Sequence, residues 1–275
     1  MSTASAHAEI ESGIGNTLRG CVRLVTFFVL VLATIPFQLL SRVTNRFDSF
    51  EVSRALYRGL VWMMSFNVRV HGTLTTAKPT LFVSSHSSYL DVLVLGSVIP
   101  AAFVAKADVA NWPFIGWISK LQRTVFIERK SSHAAAQRNS MRVHLERGES
   151  LILFPEGTSS DGLLILPFKS SLFSLAAERL PDGRPVMVQP VSITCTEISG
   201  MPIGRAWRPF YAWYGEMTFL PHLWRVFKLG HFTVDIVFHP PVTIADFADR
   251  KEMARYCHAK VAEGVDQCLT GRIKD

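Results

Sequence analysis

The sequence predicts an α/β protein, a mixed and mainly parallel sheet covered by helices, behind an N-terminal two-helix membrane-associating appendage. Three observations predict it. From Asn67 onwards, short β-prone apolar runs alternate with helix-length stretches, the pattern of a sheet buried between two helical layers. Before that alternation lies a nearly uninterrupted apolar stretch, Leu24 to Leu40. The chain of 275 residues is 48% hydrophobic, with a mean hydropathy of +0.22. That is room for one sizeable domain and an appendage, and is more apolar than a freely soluble enzyme usually is.

Residues 1–15 are small and polar and are expected to form a disordered tail. Leu24 to Leu40, seventeen residues by their numbering, spans about 26 Å as a helix against a hydrocarbon core of about 30 Å, which is short for a crossing. Arg19 and Arg23 precede it and Arg42 and Arg46 follow, so charge does not orient it. A secretory signal shares the basic flank, but no small-residue cleavage site follows Leu40. Glu51 to Phe66 reads as a second helix. Val52, Leu56, Leu60 and Met63 form one stripe, bordered by Arg54, Arg58 and Trp62, which suits an interfacial helix or an ordinary core helix. Residues 16–66 are thus the expected membrane-associated helical appendage, and residues 67–275 the catalytic-sized α/β domain.

Within that domain the expected strands are Val68 to Val70, Leu81 to Ser84, Ala102 to Ala105, Thr124 to Ile127, Leu151 to Phe154, Val186 to Thr194 and Thr233 to Phe238. Ser131 or Ser132 caps a helix that ends at Gly148, to which we assign a structural role, and Asp246 to Leu269 closes the chain as a surface helix.

Charge and cysteine usage narrow the function class. A formal net charge of +7 and a pI near 9.4 suit anionic lipid headgroups or an acidic carrier protein. Nucleic acid is not an expected partner, because the basic residues are dispersed and no nucleic-acid motif accompanies them. Cys21, Cys195, Cys257 and Cys268 show neither metal-type spacing nor the density of a disulfide scaffold, which favours a reducing, cytoplasmic setting for the main domain.

Two stretches carry the chemistry. In Val83-Ser84-Ser85-His86-Ser87-Ser88-Tyr89-Leu90-Asp91 a strand ends near Ser85 and apolar spacing resumes at Leu90. Five residues of continuous helix rotate by about 500°, which would put His86 and Asp91 on different faces, so the two meet only across a turn. There Asp91 can accept the Nδ1 proton of His86 and leave Nε2 as a base. In Phe154-Pro155-Glu156-Gly157-Thr158-Ser159-Ser160-Asp161-Gly162 a buried-strand pattern stops at Pro155, followed by a carboxylate, two glycines and three hydroxyls that no core requires. Gly157 allows close backbone approach to a ligand. Arg123 and Arg129 bracket Thr124 to Ile127 six positions apart, a spacing that allows two guanidiniums on one side of a strand, where they suit a carboxylate or phosphate. Lys106 ends another strand, and Lys169 follows the second stretch. Each meets an anionic group or simply reaches water.

His86 with Asp91, then Phe126-Ile127-Glu128-Arg129, then Phe154-Pro155-Glu156-Gly157-Thr158, then Val188-Gln189-Pro190-Val191 resemble in order and spacing the four motifs of the glycerolipid acyltransferase family, whose best-known members are the lysophosphatidic acid acyltransferases. The resemblance covers about residues 65 to 195. It implies that His86 is the general base and Asp91 its orienting partner. It implies Arg129 as an acceptor-binding cation, with Glu156, Gly157 and Thr158 in the acceptor site and Pro190 near the acyl site. Lys106, Arg123 and Lys169 are further candidate substrate contacts from their own chemistry, although Arg123 stands where the family usually has glycine or a small residue and each also has a plain structural or solvent-facing reading. The resemblance implies an acyl thioester donor on acyl carrier protein or coenzyme A, a lysolipid acceptor and a bilayer partner. No metal or redox cofactor is expected, because His86, His133, His144 and the cysteines show no ligand spacing. The resemblance also implies an inner (cytoplasmic) membrane location with the site facing the cytoplasm.

This chain departs from the family where many lysophosphatidic acid acyltransferases carry an arginine directly after the Glu-Gly-Thr triplet; here Ser159 stands. With that cation missing, the segment through Leu166-Pro167-Phe168-Lys169, together with Pro209 to Gly215 and Pro221 to Arg225, more closely resembles the bacterial lyso-ornithine lipid acyltransferases. The alternative is a 1-acyl-sn-glycerol-3-phosphate acyltransferase. Trp207, Trp213 and Trp224, with Tyr211 and Tyr214, suit a membrane interface, the mouth of an acyl tunnel or plain packing. A serine hydrolase would use His86, Asp91 and Ser159, but Asp161 stands where the second glycine of a nucleophile elbow belongs and Pro155 spoils the strand-to-helix context. A silent membrane-binding module would have no need of all four motifs.

Overall fold

The computed structural model describes residues 15–44, 49–127 and 134–273. The expected N-terminal tail up to residue 14, the Ser131 or Ser132 cap and Arg129 lie outside the described residues.

Two helices lead the chain, α1 (Thr17–Thr44) and α2 (Ser49–Met63). The order is then β1 (Phe66–Gly72), β2 (Thr80–Ser84), α3 (Leu90–Val98), β3 (Ala102–Lys106), α4 (Ile115–Leu121), β4 (Val125–Ile127), α5 (Ala134–Glu146) and β5 (Leu151–Leu153). It closes with β6 (Met187–Ile198), the short β7 (Met201–Pro202), α6 (Phe219–Lys228), β8 (Phe232–Phe238) and α7 (Arg250–Leu269). The expected strands are all present. The sheet runs β1-β8-β6-β2-β5-β3-β4 with β7 on β6. Strands β6, β2, β5, β3 and β4 are parallel, β8 pairs β6 antiparallel, and β1 runs parallel to β8. This is the mixed, mainly parallel sheet that the sequence predicts.

Alternation along the central strands distributes side chains between two layers. Leu81, Val83, Leu151, Leu153, Ala102 and Val104 face α5 and α7, where Met141, Leu145, Met253, Cys257 and Val261 meet them. Phe82, Ile152 and Phe103 face the other way, onto Leu56, Leu60, Leu90, Val94 and Leu95 of α2 and α3. Covered on both faces, β2 has no exposed position, and each such buried Leu, Val or Phe contributes about 1.5–3 kcal/mol relative to exposure.

The leading helices differ from expectation in an instructive way. α1 runs for 28 residues rather than the expected Leu24 to Leu40, about 42 Å of helix. Its extension includes Arg23, read in the sequence as a flanking charge. Arg23 turns inward, is only 5% exposed, and gives Nε to Met63 O, Nη1 to Phe227 O and Leu229 O, and Nη2 to Met64 O, Ser65 Oγ and Gly230 O, all at 2.7–3.2 Å. These acceptors lie at the carboxyl ends of α2 and α6, where helical carbonyls lack partners, so one guanidinium bolts α1 to both. α1 is the one N-terminal helix that fits the appendage. α2 packs its stripe into the core instead: Leu56, Leu60 and Met63 are buried, and of the bordering residues Trp62 remains largely exposed.

Candidate active site

In a parallel sheet the loops after the carboxyl ends of the strands form the natural crevice, and both chemistry-bearing stretches lie there, after the adjacent strands β2 and β5. His86 follows β2 by two residues, and α3 begins only at Leu90, so Ser87, Ser88 and Tyr89 make the turn that the five-residue spacing requires.

Asp91 is wholly buried in the first turn of α3, where the helix dipole favours a negative charge. Its Oδ2 accepts from His86 Nδ1 at 3.2 Å, Ser87 N at 2.7 Å and Ser88 N at 2.8 Å, and its Oδ1 accepts from Tyr211 Oη at 2.9 Å. The imidazole is stacked on Phe154, ring centroids 4.0 Å apart. Held on its face and at Nδ1, the ring has one nitrogen left for chemistry, and no described group hydrogen-bonds Nε2. A histidine whose Nδ1–H is fixed by a buried carboxylate can take a proton at Nε2 and return it.

Glu156 links two loops of the site through the backbone. It is buried, its Oε1 accepts from His86 N at 2.7 Å and its Oε2 from Leu166 N at 2.8 Å. The carboxylate thus ties the His86 loop to the segment that follows the Gly157 loop, and both oxygens are spent on backbone. Burial pushes its pKa up to about 7, against the pull of the two N–H groups and with a smaller push from the charge of Asp91. Gly157 has φ +80, and the Lys169 side chain fills the space where a Cβ would stand. The positive φ favours glycine here, and Lys169 is brought to the Gly157 loop. Thr158 is exposed at the tip of that loop.

Two other predicted residues are elsewhere. Arg123 precedes β4, and its partner Glu149 precedes β5, so this ion pair sits at the amino ends of the parallel strands, opposite His86. A three-residue strand places the positions before and after it at opposite ends of the sheet, which the six-residue spacing alone did not reveal. Arg123 also lies over the Phe50 ring at 5.2 Å, a structural setting. Lys106 ends β3 at the correct edge but pairs in the open with exposed Asp108.

The segment from Arg205 to Trp213 supplies the contacts that motif reasoning missed. Besides Tyr211 on Asp91, Trp213 N donates to Ser87 O at 2.8 Å, and Trp213 O accepts from Ser159 Oγ at 2.6 Å. Ser160 N donates to His86 O at 3.1 Å, closing the two loops against each other. Ser159, the only serine that a hydrolase reading would recruit, thus points its hydroxyl at a carbonyl rather than at His86. Trp112, Trp213, Phe219 and Tyr89 form an aromatic cluster beside this clamp, with ring centroids 4.9–6.2 Å apart. Tyr211 and Trp213 are legible in the sequence only as amphipathic rings; the signal for them is their place in a segment too rich in Pro, Trp and Tyr for a surface loop.

A histidine held by a buried carboxylate at the carboxyl edge of a parallel sheet is an arrangement suited to a base that serves a bound substrate group. The profile described as Acyltransferase matches residues 67–194. A lyso-ornithine lipid O-acyltransferase of Rhizobium meliloti (strain 1021) is 38% identical over 255 residues, 92% of this chain and 87% of that protein. One of Brucella abortus (strain 2308) is 34% identical over 260 residues, 94% and 97% of the two chains. The crystal structure of the 1-acyl-sn-glycerophosphate (LPA) acyltransferase PlsC from Thermotoga maritima shares the fold, with a TM-score of 0.67 at 20% identity over 94% of this chain and 99% of that one. The chain belongs to the acyltransferase family, and it is an acyltransferase.

Proposed function

We propose that this protein is a membrane-associated O-acyltransferase that moves a fatty acyl group from an acyl thioester, on acyl carrier protein or coenzyme A, to the free hydroxyl of a lysolipid, with lyso-ornithine lipid as acceptor. The observation that supports the chemistry best is the His86–Asp91 pair, Nδ1 to Oδ2 at 3.2 Å, which directs the other ring nitrogen away from the carboxylate. In the proposed step Nε2 removes the acceptor's hydroxyl proton while the oxygen attacks the thioester carbonyl. The C–O bond forms, main-chain N–H groups of the site hold the oxyanion, and collapse breaks the C–S bond as the imidazolium returns its proton to the departing sulfur. The names of the relatives at 38% and 34% identity support the acceptor, as does Ser159 in place of a phosphate-pairing arginine.

The test is acyl transfer by the purified protein in detergent, with labelled acyl carrier protein or acyl-coenzyme A and with lyso-ornithine lipid and lysophosphatidate offered in parallel. Product from lyso-ornithine lipid is the expected result; product from lysophosphatidate alone would replace the acceptor and keep the reaction class.

Membrane association is supported by the outer face of α1, where Leu18, Val22, Val25, Val29, Leu32 and Leu39 are all exposed. Thr17–Ser41 is long and apolar enough to cross a bilayer. That apolar surface continues onto Phe114, which touches Phe27 and Phe28 at 6.0 and 5.5 Å, and onto exposed Trp117. The protein should stay with the membrane fraction through a high-salt wash and leave it only with detergent. Release by salt alone would mean attachment through surface charge. The four cysteines are free, which supports a site on the cytoplasmic side of the inner membrane.

A further inference from the structure

Two arginines in this protein are each 5% exposed, and the fold treats them in opposite ways. Arg23 spends all three guanidinium nitrogens on six acceptors at 2.7–3.2 Å. Arg208 has two contacts, both from Nη1 and both long, to Asp161 O and Gly162 O at 3.5 Å. Its buried Nε has no acceptor, and among the described residues it forms no ion pair. The donors of this rigid fork are therefore only partly used in a largely buried place, with Nε sealed in and unpartnered, a costly arrangement unless something else meets them. Burial lowers the pKa of Arg208, and the charge of Asp161 opposes this only in part. The side chain of Asp161 is itself turned to Leu163 N at 2.9 Å.

The surroundings bring Arg208 close to the base. Gly162 is buried with φ +73, and a Cβ built on it would stand 3.1 Å from Ser87 Cβ and 3.4 Å from Arg208 Nη1. The absent side chain lets the guanidinium approach the loop closely beside Ser87, the residue that directly follows His86. The segment holding Arg208 is also the one that clamps the base, through Tyr211 on Asp91 and Trp213 on Ser87. A guanidinium at this spot is the right shape and charge for a carboxylate or a phosphate.

We propose that Arg208 is the anion subsite of the acceptor: its guanidinium pairs with the negatively charged group of the lysolipid head and thereby sets the free hydroxyl at His86 Nε2. The proposal rests on the lysolipid acyltransferase reading and adds to it the residue that recognises the head. Arg208 brings a cation to the Asp161–Gly162 loop from a later element of the chain. The shared chemistry is the anion, a carboxylate on lyso-ornithine lipid or a phosphate on lysophosphatidate.

The experiment compares wild type, Arg208→Gln and Arg208→Lys as full-length purified proteins in detergent at saturating acyl thioester. The acceptors are lyso-ornithine lipid, its carboxyl methyl ester and lysophosphatidate. Loss of a charge-assisted pair corresponds to about 10- to 100-fold in binding. Arg208→Gln should raise KM for the charged acceptor by about that factor, change kcat far less, and leave KM for the methyl ester where it was. Arg208→Lys should recover part of the loss, because it restores the charge but not the fork. A merely structural arginine would lower kcat for charged and neutral acceptors alike, and that result overturns the proposal. So does a wild-type enzyme that takes the methyl ester with the same KM as the free acid, a comparison that needs no variant to fold. Wild-type activity on lysophosphatidate but not on lyso-ornithine lipid would remove the acceptor chosen above. The same KM increase in Arg208→Gln, then read on lysophosphatidate, would still uphold the subsite.

Discussion

His86→Ala is expected to lower kcat by about three orders of magnitude, within the range of a lost general base, while the protein folds and melts as before. The second half of that expectation comes from how residue 86 is held. Its N donates to Glu156 and its O accepts from Ser160 N, and both are main-chain groups that alanine keeps. The ring itself contributes a stacked contact on Phe154 and one bond to Asp91, and Asp91 retains Ser87 N, Ser88 N and Tyr211 when the ring goes. The check is an initial-rate assay at saturating donor and acceptor, paired with a thermal melt. A folded variant whose kcat stays within tenfold of wild type would mean that the proton leaves by another route.

Legibility in the sequence followed the range of the interactions. Strands β2 and β5 were readable because apolar runs stop at residues that cannot continue them, and the His86–Asp91 turn was readable because a five-residue spacing excludes a shared helix face. Both are local facts. The inward turn of Arg23 was not readable, since an arginine beside an apolar stretch looks the same whether it meets water or five carbonyls and a hydroxyl. Tyr211 reaches Asp91 across 120 positions of chain, and Arg208 reaches Gly162 across 46; only the closed fold brings them there. Arg123 was misplaced for the converse reason. Spacing along a strand fixes the face, whereas strand length fixes the end of the sheet, and the three residues of β4 put Arg123 at the end away from His86. Glu156 was found by its motif, but its two backbone partners make it the brace between the loops, a role that its position next to Gly157 does not reveal.

Asp91→Asn is expected to cost about 10²- to 10³-fold in kcat with a much smaller loss of stability. The two parts separate because of what surrounds the carboxylate. Oδ2 faces three N–H donors, from His86, Ser87 and Ser88, so an amide nitrogen placed there would set donor against donor. Oδ1 faces a hydroxyl, that of Tyr211 at 2.9 Å, and a hydroxyl both donates and accepts. Asparagine therefore enters with its oxygen toward the turn and its NH2 toward Tyr211, whose O–H rotates to accept. The turn survives, the imidazole keeps its tautomer, and the negative charge is gone. At a wholly buried position that charge acts through a low dielectric on the imidazolium formed as the acceptor loses its proton, so its removal raises the barrier without dismantling the site. Alanine, by contrast, would leave Ser87 N and Ser88 N unpaired in the interior and should unfold the turn as well as stop the reaction. Measuring kcat and the melting temperature of the asparagine variant distinguishes the two contributions. A folded Asp91→Asn protein with kcat within tenfold of wild type would show that Asp91 builds the turn and adds no charge stabilisation to proton transfer at His86.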